Sequence, residues 1–438
     1  MVRRPNGRLC RGDRSIAFAL GFEDLRKVKD PGLRRTKRSK QTEIQVTTNG
    51  GETMYKIERI KIGGFRRLRE VNLEVRPFMV VIGANGVGKT SFLDAFSVLS
   101  SSASGNLNNA LSLFGGIENI LTRGKSVELS FSVDMDIPQY QPLNYELRLS
   151  PSSTAYSIQR EILSQRHERH VLPFLHIDSS GSDIRYYEMG GKVPSGLVRP
   201  NWEHNPLETS LAQVPKMFRE PEELRRILAT ATQYHALDVG PRAAVKMPQP
   251  MKPATLPGPN GEDLVPYLYY LRESDRNRFD SIVDSLRSAF PGFEELAFPP
   301  VAAGVLAMIW KDKNFRKPMY TNELSEGTLR FLWIISLLAS PSLSTITMID
   351  EPEISLHPEL LSLLADLMRE AAKRTQLIVA THSDRFIRFL KPEEVVVMDV
   401  NEDGCSTVAW ADSLDLDEWL ADYSLDEVWR MGRMGGRA

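Results

Sequence analysis

The run Gly83-Ala84-Asn85-Gly86-Val87-Gly88-Lys89-Thr90 fits the spacing G-x-x-x-x-G-K-[ST] at every fixed position, and Ser91 follows it. Glycines at these places let backbone N–H groups curl around a phosphate with no Cβ in the way. Lys89 brings a point charge to the terminal phosphates, and the Thr90 hydroxyl is a ligand for Mg²⁺. Far downstream, the apolar run Ser344 to Ile349 ends in Asp350-Glu351. Asp350 suits the shell of a Mg²⁺ ion, and Glu351 suits a base that polarises a water for in-line attack on a γ-phosphate. A second apolar run, Gln376 to Ala380, ends in Thr381-His382-Ser383, which puts His382 near the same phosphate. Ser325-Glu326-Gly327 opens the apolar stretch Leu329 to Ala339. Such a start offers N–H donors and a hydroxyl to an anion, although Ser325 by itself reads as an ordinary helix N-cap.

These groups can act together only if the chain brings them to one edge. Phe78-Met79-Val80-Val81-Ile82 is continuously apolar, as in a strand buried on both faces, and Phe92, Leu93, Phe96 and Leu99 recur at helical spacing. The loop therefore lies between a strand and a helix whose N-terminus points at the bound anion. Pro358 is placed to open a helix over Glu359 to Arg374. Strand ends separated by one crossover helix lie parallel and adjacent, at the crevice where open α/β sheets bind ligands. Alternation in Tyr55 to Ile62, Val71 to Val75, Val127 to Val133 and Tyr145 to Leu149 predicts antiparallel strands of a side sheet.

Taken in order, GANGVGKT, ELSEGT, MIDEPEISLHP and VATHS resemble the ATP-binding-cassette (ABC)-type heads of the RecF, OLD (overcoming lysogenization defect) and SMC class. Ile60-Lys61-Ile62-Gly63-Gly64-Phe65-Arg66 looks like that class's first strands. The ending Asp426 to Gly432 is similar to stand-alone ATPases of the AAA type. The resemblance implies an α/β P-loop NTPase with a mixed central sheet, helices on both faces and an antiparallel side sheet. It implies ATP and Mg²⁺ as ligands, with Thr90 and Asp350 as metal ligands. It implies Lys89, Glu351 and His382 as catalytic residues, with His382 in the place of the switch histidine. Ser325, Glu326 and Gly327 would be the signature that meets the γ-phosphate of another protomer, and Pro352 to Pro358 the loop at that seam. Each site would then be incomplete in one copy, and ATP would draw two heads into a symmetric homodimer. Gly115 to Arg123 are candidates for the loop that carries a magnesium-sensing glutamine.

The class further implies work in DNA maintenance or in defence against mobile elements, with DNA or a separately encoded effector protein as partner. An ABC transporter subunit is one alternative, opposed by the SLHP segment, the long insert and Glu326 in the signature. A scaffold that binds ATP without hydrolysing it is another, opposed by Glu351. The division expected is a basic leader over 1–53, head over 54–150, an inserted α+β lobe over 151–300, and head again over 301–438. In the insert, Pro221 to Tyr234 and Asp263 to Phe290 read as helices, and the Pro-rich stretch from Pro241 to Pro259 as an exposed connection.

Composition bounds the rest. The formal net charge is −1, yet residues 1–53 hold 13 Lys/Arg against 6 Asp/Glu, leaving 42 against 50 for the remainder. The leader reads as a disordered segment or as sequence ahead of a start at Met54, with a nucleic-acid-binding arm as the alternative. Cys10 and Cys405 are too far apart to form a framework, which fits a reducing, cytoplasmic setting. No apolar run approaches the length of a membrane span. His167-Glu168-Arg169-His170 has no third ligand spaced nearby and reads as a solvated face. Asp415-Leu416-Asp417 resembles a metal pair, but Leu414, Leu416 and Trp419 point to a terminal helix, and no appended nuclease domain is expected.

Overall fold

Strands that alternate and strands that are apolar throughout need different surroundings, and the chain supplies both in two large sheets. A computed structural model of the protein describes residues 56–137, 141–153, 155–166, 172–181, 183–188 and 196–435. The basic segment 1–53 and the run His167 to His170 lie outside the described residues.

The first sheet has the strand order Thr232–Tyr234, Ile346–Asp350, Gln376–Thr381, Phe78–Ile82, Val395–Val400 and Ser406–Trp410. Its first five strands are parallel, and the last closes the edge antiparallel to its neighbour. Phe78–Ile82 is buried at all five positions because both faces of the sheet are covered. Odd and even positions go to different cores. Phe78, Val80 and Ile82 pack with Ile349, Leu377 and Val379 under the helices Leu264–Ser274, Arg276–Ala289, Glu326–Ala339 and Leu360–Ala371. Met79 and Val81 pack with Met348, Ile378 and Ala380 under the helix Lys89–Ala103. Phe331, in the middle of the first core, is fully buried, so Phe331→Ala would cost about 3–5 kcal/mol.

The second sheet is antiparallel, in the order Leu68–Glu74, Lys56–Phe65, Leu129–Asp136, Leu143–Pro151, Tyr156–Gln165, Phe174–Ser179, Tyr186–Glu188 and Gly196–Val198. Leu129–Asp136 alternates strictly between buried and half-buried positions, as one face covers the helix Lys89–Ala103 and the other does not. The two sheets thus grip that helix between them, which fixes the phosphate loop at its head.

Residues 53–438 form one compact unit. The stretch 151–300, expected as an inserted lobe, feeds several of its layers. Tyr156–Gln165 continues the antiparallel sheet, Thr232–Tyr234 edges the parallel one, and Leu264–Ser274 and Arg276–Ala289 join the larger core. The helix expected over Pro221 to Tyr234 covers Arg219–Ala229 only, and the one expected over Asp263 to Phe290 breaks at Asp275, which caps the second half by accepting from Arg278 N. The Pro-rich stretch is a connection with most of its prolines exposed, as expected, but it is anchored inward at several points. Val245 is fully buried, and the buried Gln249 side chain donates to Gly261 O (2.6 Å) and accepts from Val265 N (2.9 Å), which ties the segment to the start of a helix. Only Gln249–Pro250 forms a ladder there, a two-residue strand antiparallel to Val305–Leu306, and the Gln249 side chain adds the hydrogen bonds that tie the stretch inward.

Candidate active site

Register sets the site level. Asp350 pairs with Ala380 and Thr381 with Ile82, so Asp350, His382 and Gly83 all emerge at the carboxyl edge of adjacent strands. The phosphate loop follows Ile82 at once. Gly83, Gly86 and Gly88 hold φ values of 155°, 82° and 114°. Two of these glycines are needed by packing alone. A Cβ on Gly83 would lie 2.3 Å from Met398 O, and one on Gly88 would lie 2.8 Å from Ser406 Oγ. A Cβ on Gly86 would meet nothing within 4 Å, so there the backbone faces open space that a phosphate can enter. Ser406 Oγ donates to Val87 O (2.5 Å), which fastens the loop to the edge strand. Asn85 and Gly86 form the exposed crest, with Ala84 and Ser91 half-buried beside it.

Lys89 is buried and donates to the carbonyls of Gly83 (2.8 Å) and Ala84 (3.0 Å), curling over its own loop. Burial lowers the pKa of its ammonium, while the carboxylates of Glu351, Asp350 and Glu353 push it back up. Thr90 Oγ1 donates to Asp350 Oδ2 at 3.4 Å. A hydroxyl and a carboxylate side by side form an all-oxygen donor set that fits Mg²⁺. The Asp350 pKa is raised by burial first and by the neighbouring Glu351 charge second, so the site favours a cation there.

Glu351 takes a left-handed backbone (φ 52°), a conformation costing about 1–3 kcal/mol for a residue with a Cβ. Its N–H donates to Ala380 O (2.9 Å), and its Oε1 lies 2.7 Å from His382 Nδ1. The Glu351 side chain is largely shielded and the His382 ring half-exposed, so the pair spans the boundary between protein and crevice. Behind it sits Glu353, whose Oε1 accepts a short hydrogen bond from Thr381 Oγ1, while Thr381 Oγ1 accepts from Ser383 N (2.9 Å). Burial, chiefly, pushes the Glu353 carboxyl up to about 8. Glu351, Glu353 and His382 lie within 4.8 Å of one another, and the second oxygens of both glutamates are buried without a partner. Asp415 and Asp417 belong to no such group among the described residues.

Ser325 and Glu326 are exposed at the N-terminus of Glu326–Ala339. Ser325 Oγ accepts from Thr328 N (3.1 Å), the N-cap that its sequence position predicts. Gly327 has a steric cause, since a Cβ there would lie 2.5 Å from Ser355 O. Arg330 Nη1, one turn on, donates to Ser355 Oγ (2.7 Å), so the start of this helix is keyed to the loop Pro352 to Pro358. The Ser325 hydroxyl has only Thr328 for company and is not part of the cluster around Lys89 and Asp350.

Sequence reasoning misses four residues. Glu353 reads there only as part of a loop motif. Arg330 lines a small cavity together with His235, Asp350 and Glu351. His235 follows the three-residue strand Thr232–Tyr234, whose Tyr234 pairs with Ile349, so the imidazole stands level with Asp350 and favours its charged form. Gly115 to Arg123, the expected candidates for a glutamine loop, adjoin the first strand, where Leu121 bridges Phe65 and Ile120 O accepts from Arg66 N. Arg66 itself (φ 50°) donates to Asp94 Oδ2 (2.6 Å) and Ser91 Oγ (3.3 Å), beside the first turn after Lys89. A strand of three residues carries no periodicity to read, and Arg66 and Arg330 are placed by contacts across long sequence separations.

The sequence profile of the family described as "AAA domain, putative AbiEii toxin, Type IV TA system" matches residues 78–388. No curated protein matches the chain. Among solved structures, the chain is similar to the SmcHead bound to the C-winged helix domain of ScpA, at 16% identity and a TM-score of 0.49 over 81% of this chain and 97% of that one. It is similar to the SMC head domain from Thermotoga maritima, at 12% and 0.42 over 81% and 98%. It is also similar to the Smc head domain with an extended coiled coil bound to the C-terminal domain of ScpA derived from Pyrococcus furiosus, at 13% and 0.46 over 86% and 98%. No helix among the described residues is long and apolar enough to cross a membrane. With the phosphate loop, the strand order and a match over more than half its length, the chain belongs to the family of AAA domains described as putative AbiEii toxins, and it has the fold of a P-loop, ABC-type ATPase head.

Proposed function

We propose that the protein hydrolyses ATP in a Mg²⁺-dependent reaction at the crevice between Gly83 and His382. The observation that carries this is the convergence, at one sheet edge, of the phosphate loop, the Thr90–Asp350 pair and the Glu351–His382 pair. In this reading the backbone N–H groups of residues 83–90, with Lys89 released from its two carbonyls, hold the β- and γ-phosphates. Thr90 and Asp350 hold the Mg²⁺, which when bound neutralises charge on the phosphate oxygens. Glu351 accepts the proton of the attacking water, and His382, anchored by Glu351, contacts the γ-phosphate and orients the carboxylate toward the water.

The other half of each site is supplied in trans. Ser325 and Glu326 lie exposed at the start of a helix and Ser325 is bonded only to Thr328, so in this reading Ser325, Glu326 and Gly327 serve the γ-phosphate of a second copy. ATP then joins two heads into a homodimer, and hydrolysis releases them. The output is a changed contact with a partner, either DNA or a separately encoded effector, in DNA maintenance or in defence against mobile elements. The decisive experiment compares steady-state ATP turnover of Glu351→Gln with that of the wild type. Turnover is expected to fall by about 10²–10⁴-fold, the usual worth of a positioned general base. Equal turnover would remove Glu351 from its role.

A further inference from the structure

Residues 309–320 form a hairpin with Ile309–Asp312 paired to Met319–Tyr320. Its base is fixed. Trp310 is buried, with ring centroids 4.4 Å from Phe293 and 5.4 Å from Phe290. Asp312 turns the tip by accepting from Asn314 N (2.8 Å), and Lys311 is tied to Glu295 at 2.8 Å. Everything from Lys313 to Pro318 is exposed. That tip carries Lys313, Arg316 and Lys317 around Phe315, which is 60% exposed, and none of the three cations has an acidic partner among the described residues.

This is unlike its surroundings. Residues 54–438 have 42 Lys/Arg against 50 Asp/Glu, and most of the described arginines are paired. An aromatic ring of this size left in water costs free energy that packing normally recovers. A ring held on a rigid stem and surrounded by unpaired cations has the chemistry for a base stacked on its face and phosphates on either side. A duplex keeps its base faces inside the stack, so a protruding phenylalanine matches unstacked bases better.

We propose that the hairpin 309–320 binds single-stranded nucleic acid, with Phe315 stacking on a base and Lys313, Arg316 and Lys317 on the backbone. The hairpin is also close in sequence to the proposed trans half-site. Tyr320 leads into the turn Thr321–Glu323, whose Thr321 Oγ1 donates to Lys246 O (3.1 Å), and Ser325 follows two residues later. A strand held at the tip therefore lies where it can bias the presentation of Ser325.

The test uses fluorescence anisotropy of the full chain with labelled oligo(dT) and oligo(rU), without nucleotide and across a salt series. The two oligonucleotides distinguish a DNA from an RNA source of the same chemistry. Phe315→Ala should weaken binding about tenfold and leave the salt slope unchanged. Replacing Lys313, Arg316 and Lys317 by alanine should lower that slope by about 2, near 0.7 for each phosphate left without its cation. Glu351→Gln should bind as the wild type does, which separates this inference from the hydrolysis reading. The proposal is overturned if neither oligonucleotide binds at low salt, if both hairpin variants bind like the wild type, or if a duplex binds as tightly and Phe315→Ala is indifferent.

Discussion

In the proposed reading the phosphate-loop end and the Ser325 end of this head share a chemistry, helix N–H groups offered to phosphate, but they are built in opposite ways. Around Lys89 and Asp350 every functional side chain has a partner inside the same chain: Lys89 on two carbonyls, Thr90 on Asp350, Glu351 on His382, Glu353 on Thr381. Around Ser325 the hydroxyl and the helix start face outward, and only the inner side, through Gly327 and Arg330, is keyed to the protein at Ser355. A half-site assembled in the interior can be pre-organised by folding. On the proposed reading a half-site held at the surface is completed by what docks on it, and such an asymmetry is what a switch needs.

The sharpest way to break the comparison is at its interior end. Lys89→Ala removes the ammonium that curls over the loop, and both nucleotide affinity and turnover are expected to fall, the latter by about 10²–10³-fold. A filter-binding assay alongside turnover checks it, and an unchanged affinity would mean that the loop does not cradle the nucleotide. The outer end answers to a milder change. Ser325→Ala leaves the chain's own loop intact, so affinity should hold while turnover drops about tenfold, the worth of one hydrogen bond made to the reacting phosphate. Mixing the two variants then decides whether the halves belong to different copies. In a mixed dimer, the intact loop of the Ser325→Ala chain meets the intact signature of the Lys89→Ala chain. Activity above the average of the separate variants is expected, and strict averaging would put both halves in one chain.

What can be read from sequence divides along the same line. GANGVGKT and the acids after a buried strand are local, because glycine spacing and a strand end each state their own geometry. The parallel order of the strands follows from their apolar runs and the helix between them. His235, Arg66, Glu353 and Arg330 are not legible, because each owes its place to register or packing across the fold. Tyr234 has to pair with Ile349 before His235 stands level with Asp350. The Pro-rich stretch is legible only in part for a related reason: its prolines mark a connection at the surface but say nothing of the buried Gln249 that ties it inward.

Glu353 leaves turnover aside and gives a check on the interior half-site through stability. Its carboxyl is buried, bonded to Thr381, and held protonated up to about pH 8 against an ordinary value of 4.5. Below the ordinary value both folded and unfolded chains carry the proton, and the group is indifferent to folding. As pH rises from there toward 8, the unfolded chain gives the proton up and the folded chain keeps it, so the native state is progressively disfavoured. Above 8 the loss levels off. Glu353→Gln carries no titrating proton and can still accept from Thr381 through its carbonyl, so it should match the wild type near pH 4. By pH 8.5 it should exceed the wild type by several degrees in Tm, since each pH unit over which only the unfolded chain has lost the proton is worth about 1.4 kcal/mol. Thermal melts at the two pH values measure it. A variant that loses stability equally at both would show that Glu353 is ionised in the folded protein, and that its negative charge is matched by a cation rather than by a proton.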